Sequence, residues 1–471
     1  MKISLSKQKC NYLAATLLVM IISSVLISIL NPGNVDSVKM AVVIQFVGFT
    51  IMFFVLGYAN KDIVTLYSTF LIVSYIFQNG QLLLYSVGYD FDYYYINKFS
   101  PEQLHQSVLF SNLCMLSAYA AAIFSFDEKQ GWMSKKINNM SSEFIYEVAR
   151  IGCVSTGILT YGLMAVKLWV WYGGGYSAVI VFEAGIPSII GLIEALFPAC
   201  CILSIVSAKQ SGYKTRFILA VFLLWGLLTA LIGDRTTGIG VIATILLMYY
   251  FGYFSFRKKG SKTTLIIGGL VTFFMISVGA SIRNHKAVTI GSLFSVIGSV
   301  IYELGFSFFP LSAIMDMCPS TNNFLYGESM LSSVVTGFIP ESLDVLGIFS
   351  DLADKASIPT HWIADRYQYG FGMDCSLNAE AYANFGMYGF IAMFVICALI
   401  AVALKRVDYK SKQNAFSQYI GLALLFGWFT LPRRRSYYIY NKIFWYVLVI
   451  GAAIGIVYLI SQKRGQNARS K

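Results

Sequence analysis

YLAATLLVMIISSVLISIL, residues 12–30, is nineteen residues without a charge. A helix needs about 20 mainly apolar residues to cross a hydrocarbon core, so this run is long enough. Lys2, Lys7 and Lys9 precede it. It exceeds the apolar part of a signal peptide and no small-x-small cleavage site follows, so it reads as a retained signal anchor. Further runs lie near 40–59, 63–84, 105–126, 150–170, 187–208, 216–233, 238–256, 263–282, 383–404, 414–431 and 442–461. The expectation is about 12 transmembrane helices, with a range of 11–14. Such lengths exclude a transmembrane barrel, whose strands are about ten residues long and alternate. Composition agrees: 57% of residues are hydrophobic and 12% charged, whereas soluble domains carry about 25% charged residues. The expected fold class is an all-α polytopic membrane protein, one integral membrane domain over 1–471 with no repeat and no separate soluble domain.

Residues 283–382 stand apart. They hold Pro310, Pro319, Pro340 and Pro359 and many acidic groups, and their first part, 291–317, is apolar enough for an interfacial or re-entrant helix. Charge decides on which side they lie. With the N-terminus inside and twelve crossings, the cytoplasmic segments hold 23 of the 35 Lys and Arg but only six of the 23 Asp and Glu. That satisfies the positive-inside rule and gives an N-in/C-in topology with 283–382 as a large extracytoplasmic loop. The net charge of +12 is then a consequence of topology, and nucleic acid is not an expected partner.

Some arginines break the rule. Arg235 in LIGDRTTG, Arg283 in ASIRNHK, Arg366 in ADRYQYG and Arg433, Arg434 and Arg435 in LPRRRS all fall on the outer side. A guanidinium stays charged and its fork of donors fits phosphate oxygens in pairs, so several together suit a lipid-borne phosphate or pyrophosphate. The plainer alternative is that they snorkel, or pair with Asp234, Asp365 and other outer carboxylates.

A second candidate is DCSLNAEAYANFGMYG, residues 374–389, where Asn378, Glu380, Tyr382 and Asn384 crowd the outer end of an otherwise apolar helix. An ionisable group there is costly unless paired, which marks it as functional. Glu380 is a candidate general base or an orienting carboxylate; a helix-start Glu favoured by the dipole is the alternative. On a helix it shares a face with Asn384 and Met387. Outer aromatic clusters such as GYDFDYYYINKF, LWVWYGGGY and SYYIYNKIFW fit interfacial belts, with a sugar-stacking surface as a second reading.

His285 and His361 are further candidate bases. Three histidines and no paired Cys or His at ligand spacing make a zinc site unexpected, and no phosphate-binding glycine motif follows a strand. Cys318 and Cys375 fall in the long loop, either as a disulfide, if the loop is extracytoplasmic, or as two free thiols. Lys167 is the clearest charge inside an apolar run, and Glu183 and Glu194 flank or enter the sixth.

The twelve-span layout, with GDRTTG after the seventh helix and one large outer loop before a late span, resembles the O-antigen polymerase (Wzy) family. SLNAEAYANFGMYG is similar to that family's Ala-Glu-x-Tyr-x-Asn-Phe-Gly stretch, and LPRRRS to its basic stretch before the last helix. The resemblance implies a polymerase in the bacterial inner membrane, with a GT-C-like fold and an active site facing the periplasm. It would join undecaprenyl-pyrophosphate-linked oligosaccharide repeat units into O-antigen or capsular-type polysaccharide, moving the growing glycan to the non-reducing end of the next unit. Arg235, Arg283 and Arg433 to Arg435 would hold the pyrophosphate, with Glu380 as base or orienting carboxylate. Asp234, Arg366, Tyr382, Asn384 and His285 complete the candidate site. Neither metal, nucleotide nor other cofactor is implied. A chain-length regulator and a flippase would be pathway partners. The rivals are an O-antigen ligase using the same donor, a transporter or flippase, and a structural membrane subunit.

Overall fold

The computed structural model describes residues 7–60, 62–125, 141–186, 188–253, 293–339, 347–368, 374–408 and 415–469, together with 263 and 268. Among these every regular element is helical. Nine helical stretches among the described residues are long and apolar enough to cross a membrane: Cys10–Ser28, Val35–Ala59, Pro101–Phe124, Ser142–Glu183, Ile193–Ser211, Ile297–Met317, Leu377–Leu404, Ala415–Arg433 and Tyr437–Gln462. The chain is thus a polytopic membrane protein. The runs expected at 216–233 and 238–256 form the shorter apolar helices Arg216–Ile232 and Thr236–Tyr250. The run at 263–282 lies outside the described residues, apart from 263 and 268. The run at 63–84 forms a helix too, but Gln78, Asn79 and Gln81 keep it from being uniformly apolar.

The described residues fall into two compact units that alternate along the chain. One draws on Met1–Lys129, Leu293–Lys405 and Thr430–Tyr440, the other on Gln130–Ser292, Arg406–Phe429 and Asn441–Lys471.

In the first unit α1 (Lys7–Ser28), α2 (Val35–Ala59) and α3 (Leu66–Ser86) gather around α4 (Pro101–Phe124), the most buried of the four. Lipid tails are as apolar as leucine, so helices in a bilayer associate through close packing and interhelical hydrogen bonds. Both are present. Asn112 Nδ2 of α4 donates to Ser23 Oγ of α1 at 2.9 Å, Tyr67 OH of α3 donates to Ala118 O at 2.8 Å, and Ser111 Oγ donates to Asn79 Oδ1 at 2.9 Å. The apolar start of the long loop joins this unit as α9 (Leu293–Leu304) and α10 (Phe308–Met317), separated by a tight turn at Gly305–Ser307. Gly305 faces the backbone of Gly80, and a Cβ on Gly80 would sit 2.9 Å from Ile301 O, so neither position has room for a side chain. Gln81 Nε2 donates to Tyr302 O at 2.8 Å across the same crossing.

The rest of the loop supplies α11 (Glu328–Phe338) and α12 (Ser350–Tyr367). The expected span at 383–404 is divided. α13 (Leu377–Phe385) stops at Gly386, whose φ of 56° leaves the helical region, and α14 (Gly389–Asp408) resumes after one tight turn. Glu380 therefore does not share a helix with Met387. Arg406 carries the chain into the second unit.

In that unit α5 (Ser142–Ala184) breaks at Gly175, with φ 68° and ψ −165°. Lys167, before the break, meets Glu183, after it, at 2.7 Å. Lys167 also meets Glu194 of α6 (Ser188–Ser211) at 2.9 Å. The three charges named from the sequence are thus one cluster, which compensates a lysine that is itself almost fully buried. α7 (Arg216–Ile232) and α8 (Arg235–Tyr250) cross at glycines: a Cβ on Gly238 would lie 2.7 Å from Gly226 O. α15 (Ala415–Trp428) packs on α6. The last stretch runs as α16 (Tyr437–Ile443), whose residues up to Tyr440 belong to the first unit, a wide π-helical turn at Phe444–Val449 and α17 (Ile450–Arg469). Tyr419 OH donates to Tyr446 O at 2.6 Å in that turn.

The GDRTTG stretch is the corner between α7 and α8. Gly233 holds φ 127°, and a Cβ there would lie 2.5 Å from the Tyr176 ring. Asp234 caps α8, accepting from Thr237 N at 3.2 Å and Thr236 Oγ1 at 2.9 Å. Gly233→Ala should therefore lower stability through both strain and clash. The backbone part alone is on the order of 1–3 kcal/mol. A thermal melt of detergent-purified protein checks this. Tyr176→Ala in the same chain should recover only the share due to the clash.

Candidate functional site

The two stretches singled out from the sequence, 374–389 and 431–436, meet in the first unit. Ser376 starts α13 by accepting from Ala379 N at 3.3 Å, and this sets Glu380 in the first turn, facing inward and fully buried. Its carboxylate holds the arginine stretch by the backbone. Ser436 N–H donates to Oε2 at 2.6 Å and Ser436 Oγ donates to Oε1 at 3.0 Å. Two longer contacts reach Oε1 from α11, from Ser329 Oγ at 3.5 Å and Ser333 Oγ at 3.4 Å. Asn384 Nδ2 ties Ser329 Oγ to Glu380 O, at 2.7 Å each. Both carboxylate oxygens thus accept hydrogen bonds from this chain's own groups, the arrangement a buried charge requires.

The arginines differ in what they touch. Leu431–Arg433 forms a single tight turn and Arg434 is extended. Gln78 Nε2 of α3 donates to Pro432 O, and the Arg433 guanidinium lies 5.8 Å from the centre of the Phe77 ring, within cation–π range. Arg435 is locked. Its Nε donates to Asp374 Oδ1 at 3.0 Å, and one terminal nitrogen donates to Ala356 O and Ser357 Oγ of α12, both at 2.7 Å. Its side chain is 16% exposed. Arg434 is 41% exposed; it lies 3.5 Å from Asp374 Oδ2 and 5.1 Å from the centre of the Tyr438 ring. Asp374 also accepts from Thr360 Oγ1 at 3.1 Å and Cys375 N at 3.0 Å, so one carboxylate orients two guanidinia.

The other expected residues spread out. Arg366 lies on α12 at 3.9 Å from Asp316 of α10. Asp316 also accepts from Gln103 Nε2 at 2.6 Å. Tyr382 packs its ring against Phe110 and Phe324, at 5.2 Å and 6.0 Å between centres. His361 is on the exposed side of α12. Asp234 and Arg235 belong to the second unit, at the start of α8. Arg283 and His285 lie outside the described residues. Cys318 and Cys375 are buried free thiols, not a disulfide. Burial pushes Cys318 up to about 11. Burial, then the Glu380 and Asp374 carboxylates, push Cys375 well up. Neither is an activated thiolate.

Sequence reasoning missed Ser436, Ser329, Ser333, Gln78 and Ser357. A signal existed for α11: Ser329, Ser332, Ser333 and Thr336 fall on one face of a helix, opposite Met330, Leu331, Val334 and Val335.

In this polytopic membrane protein, a carboxylate buried at the head of a transmembrane stretch holds Ser436, directly after three consecutive arginines. The chain belongs to the O-antigen polysaccharide polymerase Wzy family, whose model matches residues 13–464. No curated protein and no solved structure gives a significant match. At the level of its family this is an O-antigen repeat-unit polymerase, a membrane glycosyltransferase-type enzyme.

Proposed function

We propose that the protein joins undecaprenyl-pyrophosphate-linked repeat units at the outer face of the bacterial inner membrane, with N-in/C-in topology and a GT-C-like mode of action. The observation that carries this reading is the arginine turn pinned by Glu380. In the reaction a hydroxyl at the non-reducing end of the next lipid-linked unit attacks the anomeric carbon of the growing chain. The anomeric carbon–oxygen bond breaks, and lipid pyrophosphate leaves with the electron pair. Negative charge grows on that leaving group, so fixed cations beside it stabilise the transition state more than the ground state. Arg434, half-exposed directly after the Leu431–Arg433 turn, is assigned to a phosphate oxygen, with Arg433 beside it. Arg435 is assigned to positioning, because Asp374, Ala356 and Ser357 engage it.

Glu380 is read as an orienting carboxylate, since Ser436, Ser329 and Ser333 occupy its oxygens. Asn384 supports it, Tyr382 shapes the wall behind, and Arg366 offers a further cation. Asp234 and Arg235, at the start of α8, are retained as pyrophosphate candidates. Arg283 and His285 enter from the sequence alone, His285 as the base that takes the acceptor proton. The chemistry as proposed uses no nucleotide and no metal.

Deleting the gene and resolving surface lipopolysaccharide by gel tests this. The ladder should collapse to core carrying a single repeat unit and return when the gene is restored. Complete loss of repeat units from core would overturn the polymerase reading in favour of a ligase or flippase.

A further inference from the structure

Helix α11 is inside out relative to a helix on a soluble surface. Its inward face is polar: Ser329, Ser332, Ser333 and Thr336 are all buried. Its outward face is apolar, with Leu331 69% and Val335 36% exposed, and Met330 and Val334 half-buried beside them. The next helix, α12, packs against it and shows the reverse arrangement. There Ala356, Pro359 and Ile363 are buried, while Asp351, Asp354, His361, Asp365 and Arg366 are exposed. Lys355 of α12 reaches Glu328, the first residue of α11, at 3.6 Å. The pair therefore presents one apolar surface and one charged surface side by side.

We propose that the outward face of α11 lies in the acyl region of the bilayer while α12 faces water, so that the pair sits at the membrane boundary. Eleven residues span about 16 Å at 1.5 Å per residue, too short to cross a hydrocarbon core of about 30 Å. A helix with one apolar and one polar face lies in the plane of the interface, its apolar side at the acyl boundary. Lipid is the occupant the dimensions favour. A stable protein partner needs about 800 Å² per side, more than the outward side chains of three helical turns supply, and the adjoining α12 surface is charged. The inference depends on the chain being a membrane protein and not on the reaction it performs. Its consequence is mechanical. The serines on the back of α11 point at Glu380, so the helix that meets lipid also touches the carboxylate holding the arginine turn.

Single substitutions Leu331→Cys, Val335→Cys and Asp354→Cys, made in the full chain, test the placement. Each protein is labelled with an environment-sensitive fluorophore and reconstituted in phosphatidylcholine–phosphatidylglycerol vesicles. The signal of the labelled native chain is subtracted. Nitroxides on lipid acyl chains should quench the labels at 331 and 335 severalfold more than aqueous iodide does, with the opposite order at 354. Equal access of iodide to all three sites would overturn the proposal by putting α11 in water. Protection of 331 and 335 from both quenchers would overturn it in favour of a protein contact. Two independent positions on α11 guard against a local effect of either substitution.

Discussion

Glu380→Ala is expected to abolish the polysaccharide ladder, whereas Glu380→Gln should leave a reduced but visible one. The alanine variant strands the Ser436 N–H, donated at 2.6 Å, and the Ser436 hydroxyl, donated at 3.0 Å, in a fully buried place. Each stranded buried group costs about 1–3 kcal/mol, and the turn carrying Arg433 to Arg435 loses its anchor. Glutamine keeps the length and volume. Its carbonyl oxygen accepts from Ser436 N–H, and its amide faces hydroxyls, which rotate to accept. The remaining cost is the exchange of charge-assisted for neutral hydrogen bonds, about half as strong, or roughly tenfold in activity for 1.4 kcal/mol.

Glu380→Asp is the informative third variant. It keeps the charge but withdraws it by one methylene, roughly 1.5 Å, beyond the reach of a 2.6 Å contact. If Glu380 positions the turn, the ranking is Gln above Asp above Ala. If it removes the acceptor proton, Asp ranks above Gln, and Gln is as inactive as Ala. Ladder intensity in a gene-deleted host, at matched membrane levels by immunoblot, reads the order directly.

The architecture was legible in the sequence to the degree that it depends on long apolar runs. Those at 12–30, 40–59, 105–126 and 442–461 overlap helices long enough to cross a membrane, because length and apolarity suffice for that inference. Where other physics intervenes the reading was weaker. Gln78, Asn79 and Gln81 interrupt the apolar run of α3, and their partners, Pro432, Ser111 and Tyr302, lie far along the chain. Lys167, Glu183 and Glu194 each stand out in the sequence as charges in or beside apolar runs, but their union depends on the chain reversing at Gly175, a local event in a run of three glycines. At the site, Glu380 and the arginines stood out as charges where charge is costly. That Ser436 rather than an arginine grips Glu380 follows from the backbone path of the 431–436 turn, which no periodicity encodes. The serines of α11 were hidden for another reason. Averaged over the whole loop the segment reads as hydrophilic, and only its own period of 3.6 reveals a polar inward face.

Arg434→Ala and Arg435→Ala should fail in different ways, although the residues are adjacent. Arg435 is 16% exposed and makes three hydrogen bonds, two of them to α12. Removing it unties α12 from the arginine turn and leaves Ala356 O and Ser357 Oγ without that donor. Breaking a fully buried ion pair costs about 3–5 kcal/mol, and for this partly exposed one about 2 kcal/mol is expected. The protein should therefore accumulate to lower levels and melt earlier, and activity should fall with it. Arg434 is 41% exposed, and Asp374 keeps its bonds to Arg435 and Thr360 when Arg434 is gone. Arg434→Ala should accumulate and melt normally, yet lose about 1.5–3 kcal/mol of transition-state stabilisation, roughly 10- to 150-fold in rate. Because charge develops on the departing pyrophosphate, the loss should fall mainly on kcat and not on KM. Arg434→Lys keeps a point charge without the fork and should be intermediate. Turnover of a lipid-linked repeat unit by purified variants, set beside their thermal melts, separates the two failures. Normal turnover by Arg434→Ala, with Arg433→Ala equally unaffected, would remove the arginine turn from any role in holding pyrophosphate.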